Sequence, residues 1–326
     1  MNRRTSLGHL LAGAVLMQFP MLGRAQKAVD TFPSRAAKMI VPFPPGGPTD
    51  TMARIIAGKL QETWGQPVVV EYKPGSGTVI GMDFIAKSPA DGYTFGIANS
   101  SLPVNPALYR KLPYDTEKDL AGVTQLVVLQ QAVVARPDAP FDTLAELIAW
   151  AKRNPGKLTY GTPGAGSTTH LGAELLKREA GFDMLHSPFK GSAPAHTELM
   201  GGRIDIVVDP FLSVIEYVKA GRMKMICTLG DRRVAGFNFP TATETLPGFV
   251  VNGTLGFVAP RATPRPVLQK IQSDTAKVLA VKETKDRIEA LGLEVVTTTP
   301  EQYDALIASE IKRWSKVITD AGIKLD

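Results

Sequence analysis

A single cysteine, Cys227, stands among 326 residues, which excludes an internal disulfide and any cysteine-built metal site. It lies in the apolar run from Met223 to Leu229, where a small buried residue is the ordinary expectation. Histidine is nearly as scarce, with four in all (His9, His170, His186 and His196), too scattered for a recognised zinc spacing. Basic residues number 37 and acidic ones 31, but no run of lysine and arginine with interleaved aromatics occurs, so nucleic acid is not an expected partner. Nucleotide fingerprints are missing too. Gly75-Ser-Gly-Thr-Val-Ile-Gly81 has one residue too many before its last glycine for a dinucleotide loop, and no glycine-lysine-serine or glycine-lysine-threonine occurs. Ser167 and His170 lie one helical turn apart, but no G-x-S-x-G elbow surrounds the serine. The sequence calls for no catalytic set, no metal and no cofactor.

Long apolar runs are absent as well, except at the N-terminus. Arg3 and Arg4 precede an apolar stretch from Leu7 to Leu22, and Gly23-Arg-Ala25 supplies small residues at minus three and minus one. Gly8, Gly13 and Pro20 interrupt the stretch, so it reads as a signal peptide over residues 1–25 rather than a retained anchor. The mature chain then starts near Gln26 and works outside the cytoplasm. The first 25 residues hold three arginines and no acid, so the net charge falls from +6 to +3, a near-balanced surface. About 300 mature residues suffice for two domains with proper cores.

What is present is a rhythm of strand, glycine-rich turn and helix. Residues 38–42 form a strand, 42–48 a proline-glycine turn, and then a helix starts that Thr49 or Asp50 can cap, with Met52, Ala53, Ile56, Leu60 and Trp64 on one face. Strand 67–71, turn 73–78, helix 79–87 and strand 93–98 follow. The rhythm returns in the second half, where strand 158–160 enters a turn at 161–169 and a helix runs to about 179. It is the signature of parallel strands covered by helices. Two β-rich stretches, 126–135 and 250–260, are placed to carry the chain between two lobes, so residues 26–128 plus 250–326 are expected as a discontinuous first domain and 129–249 as the second.

A turn feeding a helix N-terminus exposes backbone N–H groups without helical partners, and the helix dipole adds a preference for negative charge. Gly46-Gly-Pro-Thr-Asp50 and Gly164-Ala-Gly-Ser-Thr-Thr169 are two such turns, and Gly75-Ser-Gly-Thr78 is a third. Any one of them is equally an ordinary cap. Two at matching places in two half-domains favour an anion site in a cleft between lobes. His170 reads as a pocket-lining or packing residue rather than a base. Asp209 and Lys190 follow strands and are read either as turn residues or as cleft residues.

Many separate segments carry a likeness to one family: Val41-Pro-Phe-Pro-Pro-Gly-Gly-Pro-Thr-Asp50, Lys73-Pro-Gly-Ser-Gly77, Pro89-Ala-Asp-Gly-Tyr93, Asn105-Pro-Ala-Leu-Tyr109, Phe189-Lys-Gly-Ser-Ala-Pro194 and Arg313-Trp314. The chain resembles the Bug, or TctC-like, solute-binding receptors of tripartite tricarboxylate transporters over essentially its mature length. The resemblance implies an α/β fold, a two-lobed periplasmic binding protein (a Venus flytrap, type II-like) with mostly parallel sheets flanked by helices. It implies a monomer that captures a small carboxylate in the periplasm and delivers it to a large and a small integral-membrane transporter subunit, without catalysis. Ligand-binding positions carried over or read from the turns are Phe43, Pro44, Pro45, Gly46, Gly47, Thr49, Asp50, Ser76, Asn99 and Ser100 from the first lobe. From the second they are Thr162, Gly166, Ser167, Thr168, Thr169, His170, Lys190 and Asp209. His186-Ser187-Pro188-Phe189 departs from the family's more usual valine-proline-tyrosine run. The other readings are a receptor for a sensory system and an exported α/β hydrolase using Ser167 and His170.

Overall fold

The computed structural model describes residues 32–234, 236–291 and 293–323, so the expected signal peptide and the expected mature start near Gln26 lie outside the described residues. The first group of elements is β1 (Ala37–Val41), α1 (Pro48–Trp64), β2 (Val68–Tyr72), α2 (Val79–Ala86), β3 (Thr94–Asn99) and α3 (Ser101–Leu108). After a short α4 (Thr116–Asp119) comes the long strand β4 (Leu120–Ala135). The second group is α5 (Leu144–Arg153), β5 (Thr159–Thr162), α6 (Thr168–Ala180), β6 (Leu185–Pro188), α7 (Ser192–Met200), β7 (Ile206–Pro210), α8 (Phe211–Lys219) and β8 (Lys224–Thr228). The chain returns through β9 (Asn252–Pro260), then α9 (Arg265–Ala280), α10 (Lys282–Glu289), β10 (Glu294–Val295) and α11 (Pro300–Asp320).

Local chemistry explains most of these boundaries. In α1 the stripe Met52, Ala53, Ile56 and Leu60 is fully or almost fully buried, and Gly65 ends the helix in the left-handed conformation. The helix starts earlier than expected, because Gly47 rather than Thr49 or Asp50 occupies the cap position and Pro48 opens the first turn. Thr143 with Glu146, and Thr299 with Gln302, close reciprocal capping boxes on α5 and α11. Helix α3 was not foreseen, because Pro103 and Pro106 disguise it. Strand β6 (Leu-His-Ser-Pro) is short and half-polar, and carries no strand signal of its own.

Strands β1, β2 and β3 pair in parallel in one group, and β5, β6 and β7 in the other. The two parallel groups are joined by antiparallel strands. Strand β9 runs antiparallel to β3 and β4, and β4 antiparallel to β7 and β8, giving a mixed sheet. The reason is the crossover. A strand that leaves one group through the edge where its neighbours end enters the other group against the direction of the strands there.

That crossover orients the whole molecule. Running parallel to β3, β4 leaves the first group at the edge where β3 ends, with Asn99 level with Leu255 and Leu255 with Val127. It enters the second group at the C-terminal end of β7, where Gln131 pairs with Pro210. The C-terminal edges of both parallel groups therefore face each other, separated by the four-residue step from Val127 to Gln131, ~13 Å of strand. Helix α11 bridges the same gap, packing Tyr303 and Ile307 with Ile40, Leu120 and Val258 at one end. At the other end Trp314, Val317 and Ile318 pack with Tyr160 and Leu171.

Candidate functional site

In an α/β sheet, ligands bind outside the C-terminal ends of the parallel strands. Here each edge carries three helix N-termini: α1, α2 and α3 follow β1, β2 and β3, and α6, α7 and α8 follow β5, β6 and β7.

In the first turn the Asp50 carboxylate points back into the protein. It accepts hydrogen bonds from the Gly46 amide (2.8 Å), the Tyr72 hydroxyl (2.5 Å) and the Arg54 guanidinium (2.9 Å). Burial works against its ionisation, but the Tyr72 hydroxyl, the Gly46 amide and Arg54 outweigh that and hold the carboxyl below the usual carboxylate range. Gly46, at φ 99°, takes a conformation that favours glycine. The result is a folded-back turn in which the amides of Gly47, Thr49 and Asp50 find no partner among the described residues. Phe43 packs on the neighbouring core, while Pro44 and Pro45 are exposed.

Beside it, Ser76 lies in the turn after β2, while Asn99 and Ser100 stand at the end of β3. Thr78 and Ser101 meet the side chain of Asn99, and the Ser100 hydroxyl accepts from the Thr254 amide at 2.8 Å. Asn99 and Ser100 also line a cavity of about 190 Å³ between the crossover strands and α11, with Asn252, Thr254, Glu310 and Arg313. That cavity contains no residue of the 42–50 or 161–169 turns.

The opposite edge is built by Thr162 to His170. Ser167 caps α6, accepting from the His170 amide at 3.2 Å and donating to the Gly164 carbonyl at 2.7 Å, with Thr169 at 2.9 Å. The His170 ring makes no hydrogen bond to Ser167 among the described residues. Its Nδ1 accepts from the Gly166 amide at 3.0 Å, which fixes the Nε2–H tautomer and leaves the serine without a base. His170 stacks on His186 (3.9 Å between centroids) and His186 on Tyr160 (4.7 Å). His186 Nε2 lies 2.7 Å from the Thr162 hydroxyl, which in turn donates to Gly164 O. Burial lowers the His170 pKa, and burial together with the neighbouring His170 and Lys177 pulls His186 down to about 4, so both rings are neutral at pH 7. The Thr168 and Thr169 amides stay unpaired among the described residues.

Lys190 is exposed beside this turn. Its strand-end loop is tied down by Phe189 N to Thr162 O (3.0 Å) and Gly191 N to Pro163 O (2.9 Å). Asp209 is fully buried instead of facing the cleft. One oxygen accepts from Ser192 Oγ (2.9 Å) and the other meets His196 Nε2 (2.7 Å), because a carboxylate under the start of α7 must be paired. Gln130, Gln131 and Asn252, at the crossover floor, escaped sequence reasoning. Each has a buried side-chain oxygen with no donor among the described residues, a property no local motif announces. Among the described residues no cluster of three or more His, Cys, Asp or Glu could hold a metal ion. Two sets of free amides thus stand at the two facing strand edges, groups of the kind that bind small anions.

Comparison with known proteins points the same way. Residues 52–323 match the family model described as tripartite tricarboxylate transporter family receptor (TctC). The chain is 36% identical over 305 residues to Protein BugT of Bordetella pertussis, covering 92% of this chain and 94% of that protein. Among solved structures it is similar to R. palustris Rpa4515 with adipate, at TM-score 0.75, 31% identity and coverage of 90% and 100%. It is also similar to MatC from Rhodopseudomonas palustris with bound malate, at TM-score 0.68, 31% identity and coverage of 88% and 100%.

Proposed function

The chain belongs to the receptor family of tripartite tricarboxylate transporters, and from that premise we propose that it binds a small organic acid in the periplasm and carries it to its transporter. The observation that supports this most directly is the register of β4, which sets the two strand edges face to face with the free amides of Gly47, Thr49 and Asp50 on one side and Thr168 and Thr169 on the other. Amides at helix N-termini hold carboxylates without a basic side chain. In this reading the Thr49, Ser76 and Thr168 hydroxyls and Lys190 add polar contacts. The side chains of Asp50, Ser167 and Asp209 shape the turns rather than touch the acid, since their polar groups are already engaged, and His170 serves its turn through Nδ1.

The lobes divide at residues 128/129 and 249/250 in this reading, with the end of α11 packed on the second lobe. Closure about β4, β9 and α11 then signals loading to a large and a small membrane subunit. Relatives bound to adipate and malate support a di-acid as the first class to try.

Thermal unfolding against a panel of mono-, di- and tricarboxylates, amino acids and aromatic acids tests the proposal, because a ligand of the folded state alone raises the midpoint. One acid is expected to give a large shift that is lost in Thr49→Trp and Thr168→Trp. Folded, ligand-stripped protein that responds to no acid overturns the reading.

A further inference from the structure

The turn between β2 and α2 is held in an unusual backbone form. Gly75, Ser76, Gly77 and Thr78 have φ of 131, 47, 60 and 75°, four successive residues in the region where Cβ crowds the backbone. Two glycines account for two of them. Serine and the β-branched Thr78 have no such licence, and conformations of this kind persist only where the surroundings over-determine them. Local bonding within the turn is slight: Val79 N to Ser76 O closes one tight turn.

The over-determining groups come from α3 and the residue after it. Asn105, 2% exposed, donates from Nδ2 to Gly77 O at 3.1 Å, and the Tyr109 hydroxyl donates to Ser76 O at 3.1 Å. The same Tyr109 oxygen presses on Gly77, where a Cβ would lie 2.9 Å from it. Ser76 itself is exposed and its hydroxyl has no partner among the described residues. It stands at the C-terminal edge of β2, beside β1 and the folded-back 42–50 turn.

We propose that Asn105 and Tyr109 are positioning residues of the acid-binding site, holding the 75–78 turn in its left-handed form so that the Ser76 hydroxyl is aimed into the cleft. The inference rests on the acid-receptor reading above and adds to it a pair of residues that never touch the ligand. Strain and function then go together. A turn that served only the fold would be more stable with glycine at 76 and would need no clamp.

The experiment titrates purified protein with malate and with adipate by calorimetry and follows the unfolding midpoint of each variant. Tyr109→Phe keeps the ring and removes the clamp. It is expected to weaken whichever acid the wild type binds about tenfold while lowering the midpoint by no more than about 3 °C. Ser76→Gly is expected to raise the midpoint and weaken binding by a similar factor, a divergence that a merely structural role does not produce. Gly77→Ala combined with Tyr109→Phe should bind no worse than Gly77→Ala alone, since both break one contact. Asn105→Ala should resemble Tyr109→Phe, and if it fails to fold Tyr109→Phe decides. Wild-type affinity in Tyr109→Phe or in Ser76→Gly overturns the positioning role and leaves the receptor function standing. A wild type that binds neither these acids nor any acid of the panel overturns both.

Discussion

Asp50 shows how one residue shapes a site without facing it. Its carboxylate gathers the Gly46 amide, Tyr72 and Arg54, and so bends the turn that frees the neighbouring amides. Asp50→Ala leaves those donors unmatched and should cost about 2–4 kcal/mol in urea unfolding, with loss of acid binding. The stacked pair His170 and His186 makes a second prediction at this scale. Unfolded histidine takes a proton near pH 6.5, whereas folded His186 holds off until about 4. Between those values the unfolded chain binds more protons, so stability is complete above about pH 6.5 and falls as the pH drops toward 4. Glu174 and Lys177 are the charged groups that act on the pair, but the slope belongs to the rings. His186→Phe keeps an aromatic stack and removes the ionisation. It should cost about 1 kcal/mol at pH 7.5 through the lost Thr162 contact and flatten the acid limb in a pH series of urea melts.

Among the elements, α11 has the most to hold together. Its first half is locked to the first lobe by Asp304, which accepts from Gly122 N at 2.7 Å and from Arg261 at 2.8 Å. Tyr303 sits directly over Gly256 of β9, where a Cβ would lie 2.3 Å from the ring. Gly256→Ala should therefore cost about 3 kcal/mol or more, since neither the strand nor the buried ring can give way. Gly58, in the interior of α1, is the control. Nothing lies within 4 Å of a Cβ there, so Gly58→Ala should gain about 0.5–1 kcal/mol through helix propensity. Equal effects of the two substitutions in thermal melts would sink this account of α11. The surface pair Arg178–Asp320, at 2.8 Å and well exposed on both sides, adds little to the same anchorage.

For the whole molecule, the three crossing segments decide what motion is available. Strands β4 and β9 are paired through the gap from Val127–Leu255 to Gln130–Asn252, and α11, ~31 Å long, is packed in both lobes. A rigid strut of that kind permits a limited hinge rather than a wide swing. Small-angle scattering with saturating acid should show the radius of gyration, about 19 Å for a compact chain of this size, fall by on the order of 1 Å. A clear thermal shift without any contraction would mean that the acid binds one edge and leaves the lobes where they were.

Much of this was legible beforehand because the relevant physics is local. Helical stripes such as Met52 to Leu60, the glycines that end helices, and turns that open onto helix N-termini are properties of a few adjacent residues, so the sequence by itself determined the α/β rhythm and the turns at the helix N-termini. Membership of the receptor family was legible from many short segments agreeing in order. Pairing across the chain was not. That Asp209 is buried against His196, that His170 points to Gly166 instead of Ser167, and that Asp50 ties the first turn to Tyr72 depend on which distant side chains arrive beside them. The direction of β4 is of the same kind. Only the tertiary structure set its register against β9 and β7 and so turned two separate strand edges into one cleft, because strand register is fixed by partners far away in sequence, not by the strand's own residues.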